Sequence, residues 1–133
     1  MSPIKMSKIE SGLRTVLDFN KACNRHDIPS MMRLISDECV FESSHPAPGG
    51  TAYAGKAEIT QFWADFFREA PDTQIKIEDI SGFGNPCIMR WRLEWTDESG
   101  TRQHLRGIDL YQVENSLICE ILSYVKGARN IQG

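Results

Sequence analysis

Within residues 103–113 the chain alternates. Leu105, Gly107, Asp109, Tyr111 and Val113 fall on one face of an extended segment, and His104, Arg106, Ile108, Leu110 and Gln112 on the other. The segment before it alternates too, with Cys87, Met89, Trp91, Leu93 and Trp95 opposite Ile88, Arg90, Arg92 and Glu94. The more apolar faces must meet a core, and Asp109 is carried inward with them. A carboxylate there is costly unless it is paired, protonated or beside a wet cavity. The chemistry it offers is acid/base catalysis, because desolvation raises its pKa toward neutrality. The plainer alternative is a structural Asp that accepts hydrogen bonds from a buried neighbour.

His45 follows an alternating stretch at the same parity as Phe41 and Ser43, which hangs it over the mouth of any inner pocket. An imidazole there supplies a second group that titrates near neutral pH; a solvated loop histidine is the bland alternative. His26 falls in a turn at a helix end and His104 on the outer face. Glu42 has the parity opposite to Phe41 and is expected outside. Phe19, Trp63, Phe67, Met89, Trp91 and Tyr111 are inward apolar groups. Most are core, and some must line a cavity if one exists. Cys23, Cys39, Cys87 and Cys119 stand singly, without C-x-x-C or zinc spacing, and read as small buried hydrophobes. No metal cluster, Gly-rich phosphate loop or flavin signature is present in the sequence, so the expected chemistry uses no metal and no cofactor.

These residues need elements to hold them. The chain has 133 residues, of which 41% are hydrophobic and 25% charged. That is an ordinary globular composition, and a chain of this length buries about two-thirds of its unfolded surface. No apolar run approaches the roughly 20 residues of a membrane span. The start has no apolar signal-peptide centre, so a cytoplasmic location is expected. Net charge is −3 and Lys/Arg do not cluster, which argues against nucleic-acid binding.

The first half reads as helical and the second as strand-rich, an α+β pattern. Ser7 to Glu10 resembles a capping box opening a helix over 7–24. Asp27 caps a second, short helix that carries Met31, Met32, Leu34 and Ile35. Residues 39–43 alternate as a strand, and the Pro/Gly-rich 44–50 is a loop. Ile59, Phe62, Trp63, Phe66 and Phe67 form the stripe of a third helix, 56–69, which Pro71 ends. Strands over 74–82, 87–96, 102–114 and 117–126 follow, joined by short turns into an antiparallel meander.

Several local patterns, in order, carry a family resemblance. They are His26-Asp27-Ile28, the run from Asp37 to Glu42, the run from Gly55 to Ile59, the run from Arg106 to Tyr111, Ile118 to Glu120, and Ser123 to Gly127. The chain resembles the nuclear transport factor 2-like superfamily and, within it, the SnoaL-like group. The resemblance implies three N-terminal helices packed on a curved antiparallel sheet, a cystatin-like cone with a central pocket. It covers a single domain over 9–127, with tails at 1–8 and 128–133. Proteins of this kind commonly pair through the outer sheet face, here Arg90, Arg92, Glu94, His104 and Arg106, so a homodimer is expected.

The resemblance also bears on chemistry. Ketosteroid isomerases use a carboxylate base, a Tyr and a protonated Asp. The protonated Asp falls on Asp109, the base on Ser43 and the Tyr near Phe19. Limonene epoxide hydrolases use an Asp-Arg-Asp set whose second Asp falls near Ser123. SnoaL-type cyclases depend on an inward Asp that Asp109 matches. The expectation is an apolar pocket for a small apolar or aromatic organic molecule. Asp109 and His45 are its acid/base groups. Trp63, Phe67, Phe19, Met89, Trp91, Tyr111, Ser43 and Ser123 line it. Cofactor-free isomerase, cyclase or dehydratase chemistry is one outcome. A non-catalytic ligand-binding or dimeric interaction module is the alternative, since fold alone does not give function.

Overall fold

The computed structural model describes residues 8–46, 48–82 and 85–126. The order is α1 (Lys8–Asn24), α2 (Ile28–Met32), β1 (Ile35–Ser43), β2 (Thr51–Ala54), α3 (Gly55–Glu69), β3 (Gln74–Gly82), β4 (Pro86–Thr96), β5 (Arg102–Glu114) and β6 (Leu117–Lys126). The six strands make one curved, unclosed sheet in the order β2-β1-β6-β5-β4-β3. Strands β3 to β6 form the antiparallel meander expected from their alternation and short turns. The fold is α+β, as expected.

The helices form because their apolar residues recur at helical spacing and need one sheet face to bury against. Val16, Phe19, Ala22 and Cys23 of α1 are buried, as are Ile59, Trp63 and Phe67 of α3. α1 packs mainly on β3 and α3 on β1 and β2. Each fully buried large apolar side chain contributes roughly 1.5–3 kcal/mol before entropy is counted. The inner face of the sheet supplies the partners: Cys87, Met89, Trp91 and Leu93 from β4, Tyr111 and Val113 from β5, and Ile118 and Ile121 from β6.

Polar side chains fix the joints. Asp27 caps α2, accepting from Ser30 N at 3.2 Å and Ser30 Oγ at 2.7 Å. Asn24, the last residue of α1, donates from Nδ2 to Ile75 O at 2.8 Å and accepts from Ile75 N at 2.7 Å. It thereby occupies backbone groups that edge strand β3 would otherwise leave open. His26, at a left-handed φ of 57°, stacks on Phe67 at 4.1 Å and reaches Thr73 O at 2.9 Å. It ties the end of α1 to the end of α3.

Three expectations are corrected. The second helix stops at Met32, and Ile35 instead begins β1. Ile35 is pulled into the sheet by pairing with Ile118, and its side chain is 1% exposed. That makes β1 longer than 39–43. Strand β2 was not expected at all; Tyr53 faces Phe41 across it. The third helix ends at Glu69, with Ala70 as its cap, just before Pro71, as expected. The capping box that begins at Ser7 lies outside the described residues.

Candidate functional site

Asp109 lies where β4, β5 and β6 run side by side. Met89 faces it on β4 and Ser123 on β6. An indole and a phenol grip its carboxylate. Trp91 Nε1 donates to Oδ1 at 2.8 Å and Tyr111 OH lies 3.1 Å from Oδ2. An indole N–H can only donate, so Oδ1 is fixed as an acceptor whatever the protonation state. Burial raises the Asp109 pKa, and hydrogen bonds from Trp91, Ser123 and Tyr111 offset only part of that rise. The side chain is deep in the protein, yet part of it opens into a cavity. Burial also pushes the Tyr111 phenol well above its ordinary value, followed by the effect of the nearby Asp109 charge. Cys23, on the same cavity, is pushed up to about 12 by burial and then by Asp109, so it stays a thiol and offers no nucleophile near neutral pH.

Gly107 makes this grip possible. It sits directly opposite Trp91 in the β4–β5 register, two residues before Asp109. A Cβ at Gly107 would overlap the Trp91 ring and the Tyr124 carbonyl oxygen. The missing side chain therefore lets the indole lie across β5 and reach diagonally to Asp109. Sequence parity placed both residues inward without showing this contact. A glycine opposite a tryptophan in adjacent strands is the signal that would have found it.

The cavity has a volume of about 130 Å³. Phe19, Trp63, Trp91, Tyr111, Ser43 and Ser123 line it, together with Asp109 and His45. Of the ten residues singled out from the sequence, Phe67 and Met89 are the two it does not bring to the cavity wall. Phe67 stacks on His26 beside Trp63, and Met89, which faces Asp109 from β4, is 1% exposed. The wall also includes residues the sequence reading left out: Phe41, Phe62, Phe66, Ile75 and Asn20. Phe62 and Phe66 belong to the α3 stripe and Phe41 shares its parity with Ser43, so the signal was present but read as plain core. Trp63 Nε1 is buried with no hydrogen-bond partner among the described residues. Rings of Phe41, Phe62, Phe66 and Phe67 surround that indole within 6.2 Å, centroid to centroid.

His45 stands exposed at the cavity mouth. Its backbone N–H donates to Ser43 Oγ at 3.2 Å. The adjacent Ser44 clips the loop to β6, donating to Ser123 O at 2.6 Å and accepting from Val125 N at 3.2 Å. The clip is why a loop residue keeps its place beside a strand. Glu42 is exposed, as expected from its parity. Among the described residues no group of three or more His, Cys, Asp or Glu side chains is placed to hold a metal ion. All four cysteines are free, and Cys119 is only partly buried, contrary to its reading as a buried hydrophobe.

The outer face of the same strands differs. Glu78 pairs with Arg106 at 2.8 Å and Arg90 at 3.5 Å. Glu94 pairs with Arg92 at 2.7 Å, Lys76 at 3.1 Å and Arg102 at 3.5 Å. Among the described residues, Ile108 on β5 and Tyr124 on β6 are the large apolar side chains left exposed.

Comparison with known proteins agrees with this architecture. The family model for the SnoaL-like domain matches residues 16–121, and the chain belongs to that family. An NTF2-like protein of unknown function from Mesorhizobium loti is 30% identical, with 92% of this chain and 97% of that one covered and a TM-score of 0.78. A protein described as a SnoaL-like polyketide cyclase from Jannaschia sp. is 14% identical, over 92% and 90% of the two chains, with a TM-score of 0.76. A Mycobacterium tuberculosis protein solved with estradiol-17β-hemisuccinate is 19% identical, over 86% and 92%, with a TM-score of 0.73. The last two share the fold. A search of curated proteins gave no match. Among the described residues no helix is long and apolar enough to cross a membrane.

Proposed function

We propose that the cavity binds a small, largely apolar carbonyl compound and that Asp109 moves a proton on it. The observation that carries this reading is a carboxylate in an apolar cavity, held by Trp91 and Tyr111 and with no cation among the described residues paired to it. In the step proposed, the Asp109 carboxylate takes a proton from the carbon beside the carbonyl. The electron pair of that C–H bond passes to the carbonyl oxygen as an enolate, and Asp109 becomes a carboxylic acid. Return of the proton to another carbon yields the isomer and restores the carboxylate. A raised pKa makes the carboxylate a stronger base than an exposed one. Tyr111 and Trp91 orient the carboxylate, and His45 at the mouth is a second group able to exchange protons with solvent.

The test is hydrogen–deuterium exchange at the α′-carbon (C6) of 2-cyclohexenone in D₂O, followed by proton NMR. Exchange should be accelerated by the wild-type protein, and Asp109→Asn should lose about 100-fold or more of that acceleration, as for removal of a general acid/base group. Equal acceleration by the variant overturns the proposal.

A second reading is supported by Ser43 and Phe19. They stand where the isomerases this chain resembles carry a carboxylate and a hydroxyl, and Phe19 is 3% exposed in the core. On that reading the cavity holds its ligand without turnover, and Asp109→Ala leaves affinity within a few-fold. The exposed Ile108 and Tyr124 support pairing of two copies through the outer sheet face; light scattering at micromolar concentration distinguishes a dimer from a monomer.

A further inference from the structure

We propose that the cavity is matched to a single-ring, uncharged molecule bearing one ring oxygen substituent, and that its aromatic walls reject fused-ring compounds. This rests on the reading of the cavity as a ligand site and adds the size and charge of what it takes.

Size comes first. The cavity measures about 130 Å³. An apolar protein cavity of roughly 150 Å³ accommodates benzene, whereas sites for drug-sized ligands run from about 300 Å³ upward. One ring fills this space, and a second fused ring would have to part the walls or stand out past His45 at the mouth.

The walls do not yield cheaply. Trp91 is held by Asp109 at one end and lies over Gly107, so it cannot swing away without losing its hydrogen bond. Trp63 and Phe66 meet edge-on at 5.5 Å, and Phe41 and Phe62 at 4.8 Å. Such pairs are worth about 0.5–1.5 kcal/mol each beyond their buried area, and a larger ligand would have to part them. The space they leave presents ring faces and edges, which suit a flat ring.

Charge comes next. Asp109 is the carboxylate of this wall, and among the described residues no Lys or Arg lines it. An anionic ligand would meet a like charge or lose its hydration uncompensated. A neutral ring oxygen suits Asp109 in either state. A carbonyl accepts from the acid, and a phenol or enol hydroxyl donates to the carboxylate.

Phenol and 2-naphthol serve as probes, with the ¹⁵N–¹H signal of the Trp91 indole as the reporter. In water the larger naphthol has the stronger hydrophobic drive, so plain apolar binding makes it the tighter ligand. The proposal requires the reverse: phenol binds at least ten-fold more tightly. Phe66→Ala, at a half-buried wall position, should open the cavity and reverse that preference, and Phe66→Leu should narrow it. Circular dichroism confirms that each variant is folded. If 2-naphthol binds the wild type as tightly as phenol, and Asp109→Ala weakens both, the size limit is overturned while the ligand site stands. If neither probe moves the indole signal in any form, the ligand site itself is overturned, and the size limit with it.

Discussion

Strands β4 and β5 carry carboxylates in opposite circumstances on their two faces. Outside, Glu94 is surrounded by Arg92, Lys76 and Arg102, and hydrogen bonds from Arg92 and then Lys76 hold it at about 2. Inside, Asp109 has neutral donors alone, and burial raises it. The backbone separating them is one strand thick, and side-chain alternation is the whole cause of the difference. A carboxylate is made inert by cations and water, and chemically available by their removal.

The sharpest way to break the inner environment is Gly107→Ala. Its methyl group collides with the Trp91 ring and the Tyr124 carbonyl, and we expect a loss of about 3 kcal/mol, at the upper end for overpacking, in urea unfolding. An unchanged midpoint would mean that the indole has another place to lie. Trp91→Phe keeps most of the ring and removes the N–H. It should cost about 1–3 kcal/mol and raise the Asp109 pKa further, because the Trp91 bond is the largest effect holding it down. Carboxyl ¹³C titration reads that shift directly.

Asp109→Asn should act in the opposite direction. A folded pKa above the unfolded value of about 3.9 means that wild-type stability falls as pH rises through the folded pKa. The amide never ionises, so the variant should melt higher than wild type at pH 7.5 and alike at pH 3.5. A variant that melts lower at both pH values would show that the carboxylate is structural. Glu94→Gln, on the outer face, should give the smallest effect. Its contribution is present above about pH 4.3 and is lost as pH falls toward about 2. The melting difference at pH 7 should shrink in 1 M salt, where charges are screened beyond about 3 Å, whereas the Asp109→Asn difference should persist.

Alternation made the inner and outer faces of β4 and β5 legible in the sequence, and with them the inward placement of Asp109. The helical stripe from Ile59 to Phe67 was legible for the same reason, since periodicity is local. What could not be read was pairing between distant segments. Thr51–Ala54 has little strand character of its own and becomes β2 because β1 offers it an edge. The grip of Trp91 on Asp109 depends on Gly107 facing Trp91, a fact of register. Phe67 was misassigned because a stripe shows which face of a helix is buried, and not which of its residues meets a cavity and which meets His26.

The parallel pairing of β1 with β6 places Val40 beside Glu120. On the ribosome, the N-terminal third emerges long before that partner exists. Until β6 is made, β1 can pair only with β2, and the apolar faces of α3 and of Phe41 have half a sheet to cover them. Contacts so distant in sequence slow folding and prolong the exposure of such surfaces. Burial of those early apolar faces thus waits on β6, the strand that joins β1 to the meander.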